Sequence, residues 1–254
     1  AEWSVPKLPD DPSDRALWAA ANPSLGITIR ESTIAGELEQ MGRERFARER
    51  LGWWSEQRAE AVMKRADWDA CRVAADREPA EGELVAYGVK FSPDGATVAL
   101  VACAMPPEGA PFVEGVAQRG MADGVSWLAD WLAERWRGCC HIAIDGKAGS
   151  AALAEMLRQR KVPSKCVDVL RADQAVEACS LFANAVKERA LAHAGQPSLA
   201  ESVAGCSRRR IGSSGGWGFG PIGDSDPTLA EAAAAALWGA SHPARNPNRK
   251  LRIA

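Results

Sequence analysis

The sequence contains three histidines, and its seven cysteines include no C-x-x-C pair. Structural zinc sites use closely spaced cysteines and histidines, so this composition argues against a zinc protein. Nor do the cysteine spacings resemble a disulfide framework, which predicts reduced, buried thiols in a cytosol. No apolar run approaches the roughly 20 residues of a membrane span, and the acidic, proline-rich amino terminus is unlike a signal peptide. These absences predict a soluble intracellular protein without a membrane partner.

A positive charge excess is also missing, since the formal net charge is −2. Any nucleic-acid surface must therefore be a local patch. A hydrophobic content of 46% and a charged content of 25% are typical of a folded protein with a real core. We divide the chain into a linker and helical strap (1–80), a main domain (81–240) and a basic tail (241–254).

The main domain begins with a predicted β-hairpin. Strand candidates at 84–91 and 96–104 flank Ser92-Pro93-Asp94-Gly95, a strong turn signal. Further predicted elements are a strand at 111–117, a helix at 123–137, a strand ending at Asp145, a helix at 149–160, a strand at 166–170, a helix at 174–192 and an Ala-rich helix to about Gly239, with helices at 13–21 and 31–50 upstream. This order predicts an α/β domain with a ribonuclease H-like mixed sheet. In it, a three-strand antiparallel meander is continued by parallel strands and flanked by helices.

Asp145 is the central candidate for chemistry because it ends a buried strand and precedes a glycine. Open α/β sheets place their active sites at such strand ends. We expect Asp145 to meet Asp224 or Asp226 across the sheet edge and to bind one or two Mg²⁺ or Mn²⁺ ions, which prefer oxygen ligands. The alternative is structural: Asp145 caps the following helix, and Asp226 caps the helix that begins at Pro227.

Several stretches resemble phage large terminase subunits. They are residues 18–26, 46–54, 178–182, 193–197 and 231–233. The resemblance implies a nuclease domain preceded by part of the linker to an ATPase domain, while this chain has no G-x-x-x-x-G-K-[ST] motif. It also implies a metal-dependent endonuclease that cuts concatemeric double-stranded viral DNA during genome packaging, in the cytoplasm of the infected host cell. Its implied partners are the ATPase domain of the same polypeptide, the portal and the small terminase subunit.

The chain departs from that family at Lys90, where ribonuclease H-like nucleases have an acid in the first strand. An ammonium group cannot ligate a cation. Three interpretations remain open: Asp94 reaches back into the site, Lys90 replaces one metal ion with a fixed charge, or the site is weak. The alternative function is accordingly a degenerate nuclease fold that docks DNA and partners of the packaging motor.

A second nuclease pattern uses some of the same residues. Pro93-Asp94 and the later Asp145-Gly146-Lys147 match P-D…(D/E)-x-K, in which two acids bind a metal ion and a lysine polarises the attacking water. Lys147 is also a candidate phosphate contact.

The run Arg208-Arg209-Arg210 and the basic tail are the clusters expected to bind DNA phosphates.

Overall fold

The computed structural model describes residues 3–53, 60–74, 80–122, 124–212 and 215–249, except for the side chain of Glu44. The chain forms two compact units, Ala1–Arg58 and Ala59–Ala254. The boundaries that the sequence suggested at residues 80 and 241 stay predictions. Within the described part of the chain, no helix is long and apolar enough to cross a lipid bilayer.

The first unit is helical and has a small apolar core of its own. Its helices are α1 (Arg15–Ala21), α2 (Glu31–Gln40) and α3 (Arg43–Arg50). Trp18, Ile34 and Phe46 are buried together in its core. The single helix predicted over 31–50 is wrong, because Met41 and Gly42 have extended backbone angles and separate α2 from α3.

The second unit contains a six-stranded mixed sheet, as the sequence predicted. Its strands are β1 (Leu84–Phe91), β2 (Thr97–Met105), β3 (Phe112–Gly120), β4 (Cys139–Asp145), β5 (Val167–Val169) and β6 (Ala192–His193), in the order β5-β4-β1-β2-β3-β6. The first three form the antiparallel meander, and β4 continues it in parallel beside β1. A separate hairpin consists of β7 (Cys206–Ile211) and β8 (Gly216–Pro221).

Helices cover both faces of this sheet. They are α4 (Arg65–Ala70), α5 (Ser126–Arg135), α6 (Ser150–Gln159), α7 (Ala172–Lys187), α8 (Pro197–Ala204) and α9 (Thr228–Ser241). The cluster on one face combines α7, α8 and α9 with the sheet, and the cluster on the other combines α5 and α6 with it. The helix predicted at 123–137 corresponds to the shorter α5, Ser126–Arg135. Its predicted first residue, Asp123, lies outside the described residues.

The Ala-rich helix α9 runs unusually close to the central strand β1. A Cβ placed on Gly88 would lie 2.1 Å from the carbonyl oxygen of Ala232 and 2.3 Å from the backbone nitrogen of Ala236. Only a glycine in the strand and small residues in the helix permit this distance. Side chains near the start of α9 are therefore brought directly over the end of β1.

All seven cysteines are free and buried, which confirms the prediction of reduced, buried thiols.

The basic tail is partly anchored. The guanidinium of Arg245 donates hydrogen bonds to the carbonyl oxygens of Trp136, Arg137 and Cys139 at 2.8–3.2 Å. Arg245 is thus occupied by the main chain near the start of β4. Lys250 and Arg252, also expected in the basic patch, lie outside the described residues.

Candidate functional site

Lys90 and Asp145 are brought together by the register of two neighbouring parallel strands. Residue 90 of β1 pairs with residue 145 of β4, so the two side chains leave the sheet side by side. Lys90 lies on the same face of β1 as Ala86 and Gly88, and it therefore faces the helix α9. The Lys90 ammonium nitrogen lies 2.6 Å from Oδ2 of Asp145 and donates a hydrogen bond to it.

Glu231, in the first turn of α9, completes this arrangement from above the sheet. Its Oε1 lies 3.1 Å from Nζ of Lys90 and accepts a hydrogen bond from Nη2 of Arg209 at 3.2 Å. The side chains of Lys90 and Glu231 are only 5% and 4% exposed. We call Lys90, Asp145, Glu231 and Arg209 the four-charge cluster. Two cations and two carboxylates make it electrically balanced without any added ion.

The pKa shift of Lys90 favours its charged form, whereas that of Glu231 opposes the carboxylate form. Burial on its own would lower the pKa of Lys90, but the carboxylates of Glu231 and Asp145 outweigh burial and raise it above its ordinary value. Burial raises the pKa of Glu231, and the Lys90 ammonium partly opposes that rise. Lys90 is consequently a permanent cation at neutral pH.

Arg209 joins the cluster because the arginine run lies on a strand. Side chains alternate along β7, so Arg208 and Arg210 are exposed while Arg209 turns to the opposite face. There its Nε donates a hydrogen bond to the carbonyl oxygen of Phe219 at 3.1 Å. The guanidinium of Arg208 instead lies over the ring of Trp217, 4.8 Å from its centroid. The three arginines that the sequence grouped as one DNA-binding patch are thus split between two faces.

Two clefts flank the four-charge cluster. One, of about 350 Å³, is lined by residues that include Lys90, Asp145 and Lys147. The other, of about 400 Å³, is lined by residues that include Asp94, Asp226 and Glu231. Pro93 and Arg209 line both clefts. Asp94, Asp145 and Asp226 therefore lie near one edge of the sheet, but Asp145 lines a different cleft from Asp94 and Asp226.

Asp145 is held in place by the turn that follows it. Its Oδ1 accepts a hydrogen bond from the backbone N–H of Gly146 at 2.7 Å. Gly146 has φ +101°, and a Cβ there would lie 2.4 Å from the carbonyl oxygen of Phe91. This turn therefore requires glycine, and it presents Lys147 at the exposed rim of the Asp145 cleft.

Asp226 is engaged at the start of α9. Its Oδ1 accepts from the backbone N–H of Thr228 at 2.9 Å, and its Oδ2 accepts from Nε2 of Gln118 at 2.6 Å. The helix begins one residue later than the sequence suggested, with Pro227 at the N-cap position. Asp226 therefore lies one residue before the N-cap, and its carboxylate accepts from the backbone N–H of the first helical residue, Thr228. Asp224 is exposed in the preceding turn, and the role of either acid as a metal ligand stays a prediction.

Asp94 is likewise engaged locally, in the turn between β1 and β2. Its Oδ1 accepts hydrogen bonds from the Ser92 hydroxyl at 2.6 Å and from the Ala96 N–H at 3.0 Å. The Ser92 hydroxyl is the main cause of a lowered Asp94 pKa. The expectation that Asp94 reaches back toward Lys90, or acts with Asp145 and Lys147, stays a prediction.

The residues at this edge do not fit a two-metal centre. In the described ranges, no three His, Cys, Asp or Glu side chains are grouped closely enough to hold a metal ion. Asp145 and Glu231 do converge, but on the ammonium of Lys90. A divalent ion there would have to displace or sit beside a buried positive charge.

Glu231 is the member of this site that the sequence analysis missed. A signal for it exists, since Glu231 is the one charged residue in the helix Thr228–Ser241. A lysine in an apolar strand needs a buried acid as partner, and an acid in an otherwise apolar helix has the same need. Pairing the two required the topology, because α9 follows β1 only after seven other strands and four other α-helices among the described elements.

The sequence was compared with protein families and with curated proteins. Residues 5–120 match the model of the family "Terminase large subunit, endonuclease domain", a stretch that includes Lys90 and ends before Asp145. No curated protein sequence matches the chain.

Among solved structures, the large terminase of bacteriophage HK97 is similar, with a TM-score of 0.52 and 13% identity. The alignment covers 93% of this chain and 56% of the HK97 chain, so this chain spans little more than half of that protein. The large terminase nuclease from thermophilic phage G20c has a TM-score of 0.53 and 12% identity, covering 70% of this chain and 97% of its own. A magnesium-bound structure of that nuclease has a TM-score of 0.50 and 12% identity, covering 69% of this chain and 95% of its own.

The fold is thus ribonuclease H-like, as the sequence predicted, and it is shared with phage terminase nucleases. Residues 5–120 thus match the terminase large-subunit endonuclease family model, and the described chain has a fold similar to that of phage terminase nucleases.

Proposed function

We propose that this chain acts on double-stranded viral DNA during genome packaging, as the nuclease-domain part of a large terminase subunit. The family match over residues 5–120 and the shared fold support this role. The HK97 protein extends well beyond the region that this chain covers. The ATPase domain, the portal and the small terminase subunit are accordingly proposed partners, and the cytoplasm of the infected host cell is the proposed location.

The geometry best supports a DNA- and partner-docking module whose cleavage centre is degenerate. The observation that carries this conclusion is the placement of the Lys90 ammonium 2.6 Å from Asp145 and 3.1 Å from Glu231. Both carboxylates that could serve a metal ion in this cluster already have a cationic partner. DNA contact does not depend on that centre, since exposed Lys147 and Arg208 can neutralise phosphates without it.

The second candidate is a metal-dependent endonuclease that cuts concatemeric DNA. Two observations favour it: the family is an endonuclease family, and Asp145 stands at the carboxyl end of β4, where α/β sheets place catalytic residues. On this hypothesis Asp145, with Asp224 or Asp226, would bind one or two Mg²⁺ or Mn²⁺ ions. The four-charge cluster does not fit such a centre, so we derive no catalytic step through it.

One experiment distinguishes the two candidates. Fluorescence anisotropy with a labelled duplex at increasing KCl measures DNA binding, and incubation of supercoiled plasmid with Mn²⁺ measures cleavage. Salt-dependent binding without metal-stimulated cleavage supports the docking module. Cleavage by the wild type that Asp145→Asn and Asp145→Ala abolish supports the endonuclease. Failure to bind duplex DNA at low salt would contradict both.

A further inference from the structure

The cluster around Lys90 has the layout of a cation site in which the cation is part of the protein. Carboxylates from two separate elements, β4 and α9, point at one ammonium nitrogen from within 3.1 Å. Asp145 and Glu231 could otherwise repel each other in a buried setting, and two like charges near one another are costly there. Their shared cation removes this cost.

We infer that the Lys90 ammonium stands in for a divalent ion at this site, and that Glu231 is the residue that positions it. In consequence the wild-type cluster binds no Mg²⁺ or Mn²⁺, and it keeps a latent cation site that replacement of the lysine exposes. This rests on the degenerate centre of the proposed function and deepens it, but it is tested separately from DNA binding, which does not depend on the four-charge cluster.

The position of Glu231 makes it more than an ordinary ion-pair partner. Asp145 is held by the Gly146 N–H, is 22% exposed and lines the cleft of about 350 Å³. Glu231 lies deeper, on a helix whose approach to β1 is fixed by Gly88. It therefore prevents the ammonium from swinging out toward the cleft. Arg209, from the hairpin of β7 and β8, donates a hydrogen bond to the same oxygen of Glu231 and limits the movement of the Glu231 side chain.

The charges explain why a metal ion is excluded. Lys90 and Arg209 contribute two positive charges against the two negative charges of Asp145 and Glu231. An entering divalent ion would create a strong net positive charge in a buried place, with no negative group left to offset it. Replacing Lys90 by aspartate reverses the balance: three carboxylates then face one arginine, which favours binding of a hard divalent cation.

The test is a Mn²⁺ titration of the full chain, followed by electron paramagnetic resonance of free Mn²⁺ and by the melting temperature Tm. Wild type, Lys90→Asp, Lys90→Asp/Asp145→Asn and the control Lys147→Met are compared. Lys147 is an exposed lysine at the same cleft, outside the four-charge cluster. Its replacement removes one positive charge nearby but leaves the ammonium between the carboxylates in place.

We expect no stoichiometric Mn²⁺ binding by wild type or Lys147→Met. Lys90→Asp should melt at a lower temperature than wild type without metal. It should bind about one Mn²⁺, and Tm should rise by about 5–10 °C at roughly one hundred times Kd. The added Asp145→Asn should abolish that rise.

Stoichiometric Mn²⁺ binding by wild type that Asp145→Asn removes would overturn the inference, and so would a folded Lys90→Asp that binds no Mn²⁺. If Lys90→Asp does not fold, Lys90→Gln removes the charge with a smaller perturbation and must then show Asp145-dependent Mn²⁺ binding. If neither variant folds, the wild-type titration alone decides. Loss of DNA binding, in contrast, would refute only the proposed function.

Discussion

Gly88 of β1 lies directly beneath Ala232 of α9, and a Cβ on Gly88 would come within 2.1 Å of the Ala232 carbonyl oxygen. This contact sets the distance between the helix that carries Glu231 and the strand that carries Lys90. The four-charge cluster therefore depends on backbone packing as well as on charge. Several measurable effects depend on these two kinds of contact.

Gly88→Ala should destabilise the domain by about 1–3 kcal/mol, because the added methyl group forces α9 away from β1. Urea denaturation measures the change. Gly239→Ala is the control, because Gly239 lies in α9, the helix that packs over Gly88. Its Cβ would make only ordinary contacts of 3.4–3.6 Å with Ala86, His141 and Ala143. The control should be neutral or slightly stabilising, as alanine favours the helix. Equal destabilisation by both variants would contradict the close-packing argument.

Lys90→Met should cost about 3–5 kcal/mol at pH 7, because it leaves Glu231 buried without its main cationic partner. Glu231→Gln alone should also destabilise, since it leaves less negative charge near the Lys90 ammonium. The double variant Lys90→Met/Glu231→Gln should be more stable than the sum of the two single effects predicts. Urea unfolding of all four proteins gives the coupling energy, and additive effects would show that the two charges do not interact.

DNA binding should depend on the exposed lysine and arginine near the clefts. Lys147→Ala and Arg208→Ala should each reduce the slope of log K against log salt by roughly 0.9, because each removes one phosphate contact. Anisotropy titrations between low and moderate KCl provide the slopes. Lys165→Ala is the control, since Lys165 is also exposed but lies before the amino end of β5, away from the carboxyl end of the parallel strand β4. An equal loss of slope in the control would indicate diffuse electrostatics and no defined surface.

Alkaline pH should destabilise the protein through its buried thiols. Burial raises the pKa of Cys139 to about 12 and that of Cys140 to about 11, from an ordinary value of 9.0. A raised folded-state pKa means that the stabilising contribution is complete below about pH 9 and is lost as pH rises toward 11–12. For Cys139 the loss at pH 11 is about 2–3 kcal/mol. Urea midpoints from pH 8 to 11 measure it.

Cys139→Ala is the control for this pH dependence. It should have a lower stability than wild type at pH 8 because of the cavity, but a smaller further loss between pH 8 and 11. An unchanged pH dependence would assign the alkaline loss to other groups, such as Lys90, whose pKa is also raised and whose contribution likewise disappears at high pH.

The sheet could be predicted from local signals in the sequence. The turn Ser92-Pro93-Asp94-Gly95 between two apolar runs predicted the hairpin of β1 and β2, and the structure confirms it. The β-branched run ending at Asp145 similarly predicted the parallel strand β4. Such signals work because neighbouring residues determine turns and the alternation of side chains. The break between α2 and α3 was missed, because it consists of only two residues, Met41 and Gly42, with extended backbone angles.

The four-charge cluster could not be predicted from sequence patterns, because it depends on distances between residues of separate strands and helices. The residue register of β1 and β4 places Lys90 beside Asp145, and an extra residue in either strand would have separated them. Treating Arg208-Arg209-Arg210 as one patch ignored the alternation of a strand, which sends Arg209 toward Glu231. Glu231 itself could be found only by asking which acid neutralises a lysine inside an apolar strand.

Because α9 packs closely on β1, substitutions at positions 90 and 231 are expected to be coupled during evolution. A change that neutralises one of these side chains leaves the other, which is only 4–5% exposed, without its partner in this ion pair. Descendants of this chain should consequently retain the lysine and the glutamate as a pair or lose them as a pair.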